Sequence, residues 1–210
     1  MVPLVLAAAV STAPAVSSED APTYLDVAPK IRNGLVLGLT FGGGVGEGSG
    51  YPNNSQEIGD PAYHASSGWL PGTGYSLLVL GALTDYLNVG LWLGSSSFRS
   101  SNDRASSFGV GMRVEAFPLE LLYPRLEGLG TFAQFGVGSA RLTTTTAGVP
   151  EAQGTQSYIG IGAFYEWSFG HFIGGHFGVG PSLEYDTAFS RPFDANGFLA
   201  SGRLVFYGGN

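Results

Sequence analysis

The chain has 210 residues, no cysteine, 12% charged residues and a net charge of -7 with a pI near 4.8. That length suits one domain, the missing thiols exclude a disulfide framework and a thiolate metal site, and the acidic balance lacks the basic footprint that DNA or RNA binding needs. No run approaches the roughly 18 uninterrupted apolar residues of a membrane helix, while 34 glycines and 13% aromatic residues favour closely packed strands.

Residues 1–15 read as a secretory signal peptide, with an apolar stretch over residues 2–10 before the small-residue pattern Ala13-Pro14-Ala15, although the usual basic n-region is missing. Residues 16–33 form a polar linker, and residues 34–207 the single folded domain. The first strand sets Leu35, Leu37, Leu39 and Phe41 against Val36, Gly38, Thr40 and Gly42. Residues 43–71, rich in Gly, Ser, Asn and Pro, read as a long external loop. A second strand over residues 73–83 is apolar on both faces around Ser76-Leu77-Leu78-Val79-Leu80. A turn at Thr84-Asp85 leads to a third strand over residues 86–98, where Leu87, Val89, Leu91 and Leu93 alternate with Asn88, Gly90, Trp92 and Gly94, and a polar loop over residues 99–105 follows.

The fourth strand carries the clearest signal. Phe108, Val110, Met112, Val114 and Ala116 share one face, and Gly109, Gly111, Arg113 and Glu115 share the other. Charges between glycines are what a narrow polar lumen requires when the outer wall meets lipid. After the link over residues 119–127, strand five (residues 128–141) places Phe135 and Val137 opposite Gln134 and Gly136, and a loop over residues 143–156 follows. Strand six carries Ile159, Ile161, Ala163, Tyr165 and Trp167 against Tyr158, Gly160, Gly162, Phe164 and Glu166, with a brief link near Phe169-Gly170. Strand seven sets Phe177, Val179, Leu183 and Tyr185 against His176, Gly178, Gly180, Ser182 and Glu184; Pro181 lacks a donor, so a bulge or the upper rim is expected there. A loop over residues 186–197 precedes a last strand in which Phe198, Ala200, Leu204 and Phe206 alternate with Leu199, Ser201, Arg203, Val205 and Tyr207.

An even strand count with long and short links on alternate ends predicts an all-β, closed, up-and-down antiparallel transmembrane β-barrel of about eight strands. Closure follows because an open edge in hydrocarbon leaves backbone N–H and C=O groups unpaired at several kcal/mol each. Val110, Met112, Val114, Ile159, Ile161, Tyr165 and Trp167 are then lipid-facing, the last two suited to an interfacial aromatic girdle.

With its strands so placed, the chain resembles the small eight-stranded outer-membrane barrels of the OmpA/OmpX type over about residues 34–207. Its near-terminal Arg203-Leu204-Val205-Phe206-Tyr207 looks like the aromatic-ended last strand that the barrel assembly machinery recognises, followed here by Gly208-Gly209-Asn210. The resemblance implies location in a bacterial outer membrane, with outer-membrane lipid and the assembly machinery as partners and a structural, adhesive or surface-protective role.

Arg113, Glu115, Glu166, His176, Glu184 and Arg203 all fall on the inferred inner face and are expected to form a lumen ionic network, since opposite charges enclosed together satisfy one another. A narrow channel with porin-like conductance is the alternative use of the same residues, and a soluble calyx for an apolar ligand would need the faces inverted. Asp60, His64 and Ser66 have the residue types of an acyl-transfer site, and some barrels of this class act on lipid A, but a triad is defined by geometry and not by composition; no catalytic residue is assigned. The run Gly42-Gly43-Gly44-Val45-Gly46-Glu47-Gly48 lacks the following helix that a phosphate-cradling loop needs and reads as flexible loop. His171 and His176, five apart, fall on opposite faces of any one strand. No metal and no cofactor are assigned.

Overall fold

The computed structural model describes residues 32–119, 126–145, 151–172 and 174–209. The signal-like segment, the linker up to residue 31, residues 120–125 of the link over residues 119–127 and residues 146–150 of the loop over residues 143–156 lie outside the described residues. The strands are β1 (Gly34–Gly50), a two-residue β2 (Ala65–Ser66), β3 (Leu70–Thr84), β4 (Leu87–Arg99), β5 (Asp103–Ala116), β6 (Leu129–Thr144), β7 (Ala152–Tyr165), β8 (Trp167–Phe172), β9 (Gly175–Phe189) and β10 (Phe193–Gly208). Each wall strand pairs antiparallel with its neighbours, and β10 closes onto β1. The fold is a closed antiparallel barrel of eight staves, because β7 and β8 run as one: Phe164 faces Ser182 and Trp167 faces Val179 in unbroken register.

The register fixes the barrel's geometry. Following paired residues around the wall, Gly38 leads through Leu78, Trp92, Gly111, Gly136, Tyr158, Ala188 and Ala195 to Gly48, ten residues further along β1. A shear of that size over eight staves corresponds to a strand tilt of about 40° and a radius of about 8 Å, which leaves room for side chains and little else.

Several links are shorter than the sequence suggests. β1 continues to Gly50 and β3 begins at Leu70, so the glycine run from Gly42 to Gly48 is strand and not flexible loop. Glycine serves there because the lumen is crowded: a methyl group at Gly46 would strike the Phe98 ring. Only residues 100–102 separate β4 from β5, and only residues 190–192 separate β9 from β10, where longer loops were expected; β6 and β7 likewise extend into the threonine-rich stretch. Pro181 sits at neither a bulge nor the rim. It lies in mid-strand, paired in register with Gly202, and its missing N–H is accommodated by the gap between β7 and β8, where Tyr165 and Glu166 lie opposite. The bulge falls instead in β8, between Phe169 and His171, where Gly170 takes φ 62° and the strand continues past the expected link.

The polarity of the outer wall changes along the barrel axis. From Leu35 to Val45 on β1, and over corresponding stretches of the other staves, outward side chains are apolar, among them Leu77, Leu91, Met112, Phe135, Ile161, Leu183 and Leu204. At about 3.3 Å per residue and about 40° tilt this belt is about 25 Å tall. Above it the outward positions become Ser95, Ser97 and Arg99 on β4, Ser106 and Arg104 on β5, Ser139 and Arg141 on β6, and Thr155 and Gln153 on β7. At that same upper end the interior holds Leu70, Phe98, Ala105, Leu142, Ala152 and Phe193 buried together without charged residues among them, whereas lower down two apolar clusters, one around Val36, Leu78, Leu80, Trp92 and Val205 and one of Phe117, Phe132 and Phe164, share the lumen with the charged side chains. The lower two-thirds of the barrel is therefore apolar outside, and the upper lobe has the polarity of a water-soluble barrel.

Close backbone approach explains two of the lumen glycines. Gly111 and Gly136 are directly paired, and a Cβ on either would land on a neighbouring backbone carbonyl, whereas outward Gly202 has room. Gly111→Val should lower folding stability by about 1–3 kcal/mol and Gly202→Val by less than about 0.5 kcal/mol, compared by urea titration of the refolded barrel.

Candidate functional site: the ionic lumen

Strand alternation sends Arg113 and Glu115 of β5, Gln134 of β6, Glu184 and Asp186 of β9, and Arg203 of β10 into the lumen, all of them buried. Glu166 enters from the break between β7 and β8, where its amide donates to the Gly128 carbonyl at 2.9 Å and its side chain turns inward. The break opposite Pro181 thus positions a carboxylate.

Arg203 is the hub. Its Nη1 and Nη2 donate to Oε1 and Oε2 of Glu115 at 2.6 and 2.7 Å, and its Nε donates to Glu166 Oε1 at 2.6 Å. β10 and β5 are four staves apart in an eight-stave ring, so this two-pronged pair crosses the full width of the lumen. Paired guanidinium–carboxylate bonds of this kind are directional as well as strong. Glu166 Oε2 also accepts from the Tyr207 hydroxyl at 2.7 Å, and Glu115 Oε2 from Asn88 Nδ2 at 3.3 Å.

A second arm runs from Arg113. Its Nε donates to Glu115 Oε1 at 2.8 Å and its Nη1 to Gln134 Oε1 at 2.9 Å. Gln134 Nε2 then donates to Glu184 Oε1 at 2.6 Å and Asp186 Oδ1 at 3.1 Å. Aromatic rings complete the packing beneath the charges: Arg113 lies over Phe132 at 3.4 Å and Arg203 over Phe164 at 4.2 Å, an arrangement that stabilises a desolvated cation through the ring face.

The structure thus joins Arg113, Glu115, Glu166 and Arg203 directly, and Glu184 through Gln134. His176 stands lower, its ring stacked on Tyr207 with centroids 4.9 Å apart, and Tyr207 in turn donates to Glu166. Opposite His176 in register is His171, across a hairpin and not on the same strand. Of the residues read as lipid-facing, Val110, Met112, Ile159, Ile161 and Trp167 are exposed on the outer wall, while Val114 and Tyr165 are half-buried there.

Gln134, Asp186, Asn88 and Tyr207 take part in the network, and Arg32 stands beneath it, none of them a candidate from the sequence. Strict parity along each strand would have found the first four, but Asp186 was read as loop, and uncharged side chains carry no signal of pairing. Arg32 had no signal at all, since it precedes the first strand. It is buried in the lower mouth, its Nη2 donating to the Glu127 carbonyl at 2.9 Å and its guanidinium lying 3.5 Å over Phe117.

Between the ionic network and the upper apolar cluster lie two small cavities of about 30 and 20 Å³, which share Ser96, Ser107, Tyr158, Asp186 and Leu199 in their linings. Each has room for about one water molecule. In the first loop, Asp60 Oδ1 accepts from the Ala62 amide and caps a turn at residues 61–63, and His64 packs edge-on against Tyr51. No hydrogen bond joins Asp60, His64 and Ser66 among the described residues.

No protein-family model matches the chain, and no curated protein matches it. Solved structures similar to it include Ail, the attachment invasion locus protein of Yersinia pestis (9% identity, TM-score 0.45, covering 82% of this chain and 99% of that one). They also include Neisserial surface protein A (8% identity, TM-score 0.49, 82% and 97% covered) and the N-terminal β-barrel domain of Pseudomonas aeruginosa OprF (15% identity, TM-score 0.40, 83% and 98% covered).

Removing one partner of a buried charge pair leaves the other uncompensated, at a cost of about 3–5 kcal/mol. Arg203→Met should lose stability on that scale, and adding Glu166→Gln to it should recover about 1 kcal/mol or more, both measured by denaturant unfolding.

Proposed function

We propose that the protein is an integral outer-membrane β-barrel with a structural, surface-displaying role, its lumen plugged so that it does not conduct. The observation that carries this reading is the Arg203–Glu115 pair spanning the lumen from one wall to the other, both side chains fully buried. An ion crossing at that level would have to part a two-pronged, fully desolvated pair. The Arg113–Gln134–Glu184 arm blocks the adjoining cross-section.

Membrane insertion is supported by the height and continuity of the outer apolar belt, flanked by outward aromatics at both margins: Tyr75, Phe108 and Phe198 above, Tyr86, Trp167 and Phe169 below. A soluble calyx would have to expose this belt to water, a contiguous apolar surface far beyond what a monomeric soluble protein carries. In this setting the upper lobe and the loop over residues 51–69 stand outside the membrane, held by a rigid base, which suits adhesion or surface protection. Outer-membrane lipid and, during biogenesis, the barrel assembly machinery are the partners of this reading.

Single-channel recording in planar bilayers tests the plug. The wild-type barrel should show no steady conductance steps. Steady steps whose size changes in Arg203→Ala would overturn the reading in favour of a channel through the same residues.

A further inference from the structure

We infer that Arg99 and Arg104 form a site on the outer wall for a lipid headgroup with a net-anionic phosphate monoester, an inference that rests on the membrane reading above. The two residues are directly opposite in the β4–β5 register. Ser100 N donates to the Asp103 carbonyl at 2.8 Å, which makes 100 and 103 a hydrogen-bonded pair of the ladder. By alternation, Arg99 and Arg104 are then a non-hydrogen-bonded pair, the class whose Cα atoms approach to about 4.5 Å with side chains closest together. Both side chains point outward and are exposed.

Like charges directly opposed across a ladder are destabilising unless something lies between them. Nothing in the described chain does so. Ion pairs such as Arg113–Glu115, Arg141–Glu151 and Arg203–Glu166 form elsewhere, and neither Arg99 nor Arg104 takes part in one among the described residues. No counter-charge faces the two guanidiniums among the described residues, which leaves the place open to an external anion.

Position selects what supplies it. Along β4 the outward residues run Leu91, Leu93, Ser95, Ser97, Arg99, and along β5 Met112, Val110, Phe108, Ser106, Arg104, so each guanidinium stands two hydroxyl- or ring-bearing steps above the apolar belt. That is headgroup depth. A shallow outer groove continues from Ser106 and Phe108 across Ser139 and Thr155, hydroxyl-lined above and aromatic below. Phosphate presents the oxygens that guanidinium forks recognise, and a lipid whose phosphate sits between Arg99 and Arg104 would lay its acyl chains along Val110 and Leu93.

The full chain refolded into vesicles tests this, using phosphatidylcholine alone, a four-to-one mixture of phosphatidylcholine with phosphatidic acid, or phosphatidylcholine with inorganic phosphate in the buffer. The thermal midpoint of the heat-modifiable gel band should rise by about 3 °C or more with phosphatidic acid. The rise should be lost in R99Q/R104Q, reduced in each single variant and retained in R191Q, which removes an exposed arginine elsewhere. An equal rise in R99Q/R104Q would overturn the site, or in the single variants should the double not fold. The same rise from inorganic phosphate alone would overturn the lipid assignment. Failure of the wild type to insert into any vesicle, pure phosphatidylcholine included, would instead remove the membrane reading beneath it.

Discussion

The β10–β1 seam is the constraint from which the rest follows. Sixteen consecutive residue pairs, from Leu35 with Gly208 to Gly50 with Phe193, join the last strand to the first and leave the sheet without an edge. In hydrocarbon a polar backbone group has no water to bond, so a sheet can face lipid only when closed. Closure with a ten-residue shear sets the radius, and the radius sets the lumen, wide enough for about one layer of interdigitated side chains. Glycine on the inner face, at Gly46, Gly111 and Gly136, is the consequence of that width.

What fills the lumen is graded along the axis. Within the apolar belt the guanidiniums and carboxylates are inside, packed beside two buried apolar clusters, and satisfy one another across opposite walls. Above the belt, where the outward side chains are polar, the interior is Phe98, Leu142, Phe193 and their neighbours. Each level puts its apolar side chains where the surroundings favour them and its polar ones where partners exist. The ionic layer fastens staves that are far apart around the ring, and the upper apolar layer closes the top without any charge.

Period-two alternation made most of the wall legible in the sequence. The outward sets Leu35-Leu37-Leu39-Phe41 and Val110-Met112, and the inward Arg113 and Glu115, follow from parity alone once one face is given to lipid. Strand length was less legible: glycine, serine and threonine mark loops in most proteins, yet in a narrow barrel the same residues are what a crowded inner wall and a water-exposed upper strand require, so residues 43–50 looked like loop. Pro181 was misplaced because sequence gives the missing donor but not the gap in the facing strand that accommodates it. The pairing of Arg203 with Glu115 was out of reach for a different reason. It depends on stave count and shear together, which place residues 88 apart in the chain on opposite walls at one height.

Because the chain contains no cysteine, single cysteines can report on each position without background. The most direct test of the graded polarity places one cysteine at a time at Leu39, Met112 and Ile161 of the belt, at Ser97 and Thr155 of the upper lobe, and attaches an environment-sensitive fluorophore to the barrel in vesicles containing brominated lipid. Labels at the three belt positions should be quenched by the bromine, and labels at the two upper positions should be quenched only by a water-soluble agent. Aqueous quenching at Met112 together with Leu39 and Ile161 would contradict the account.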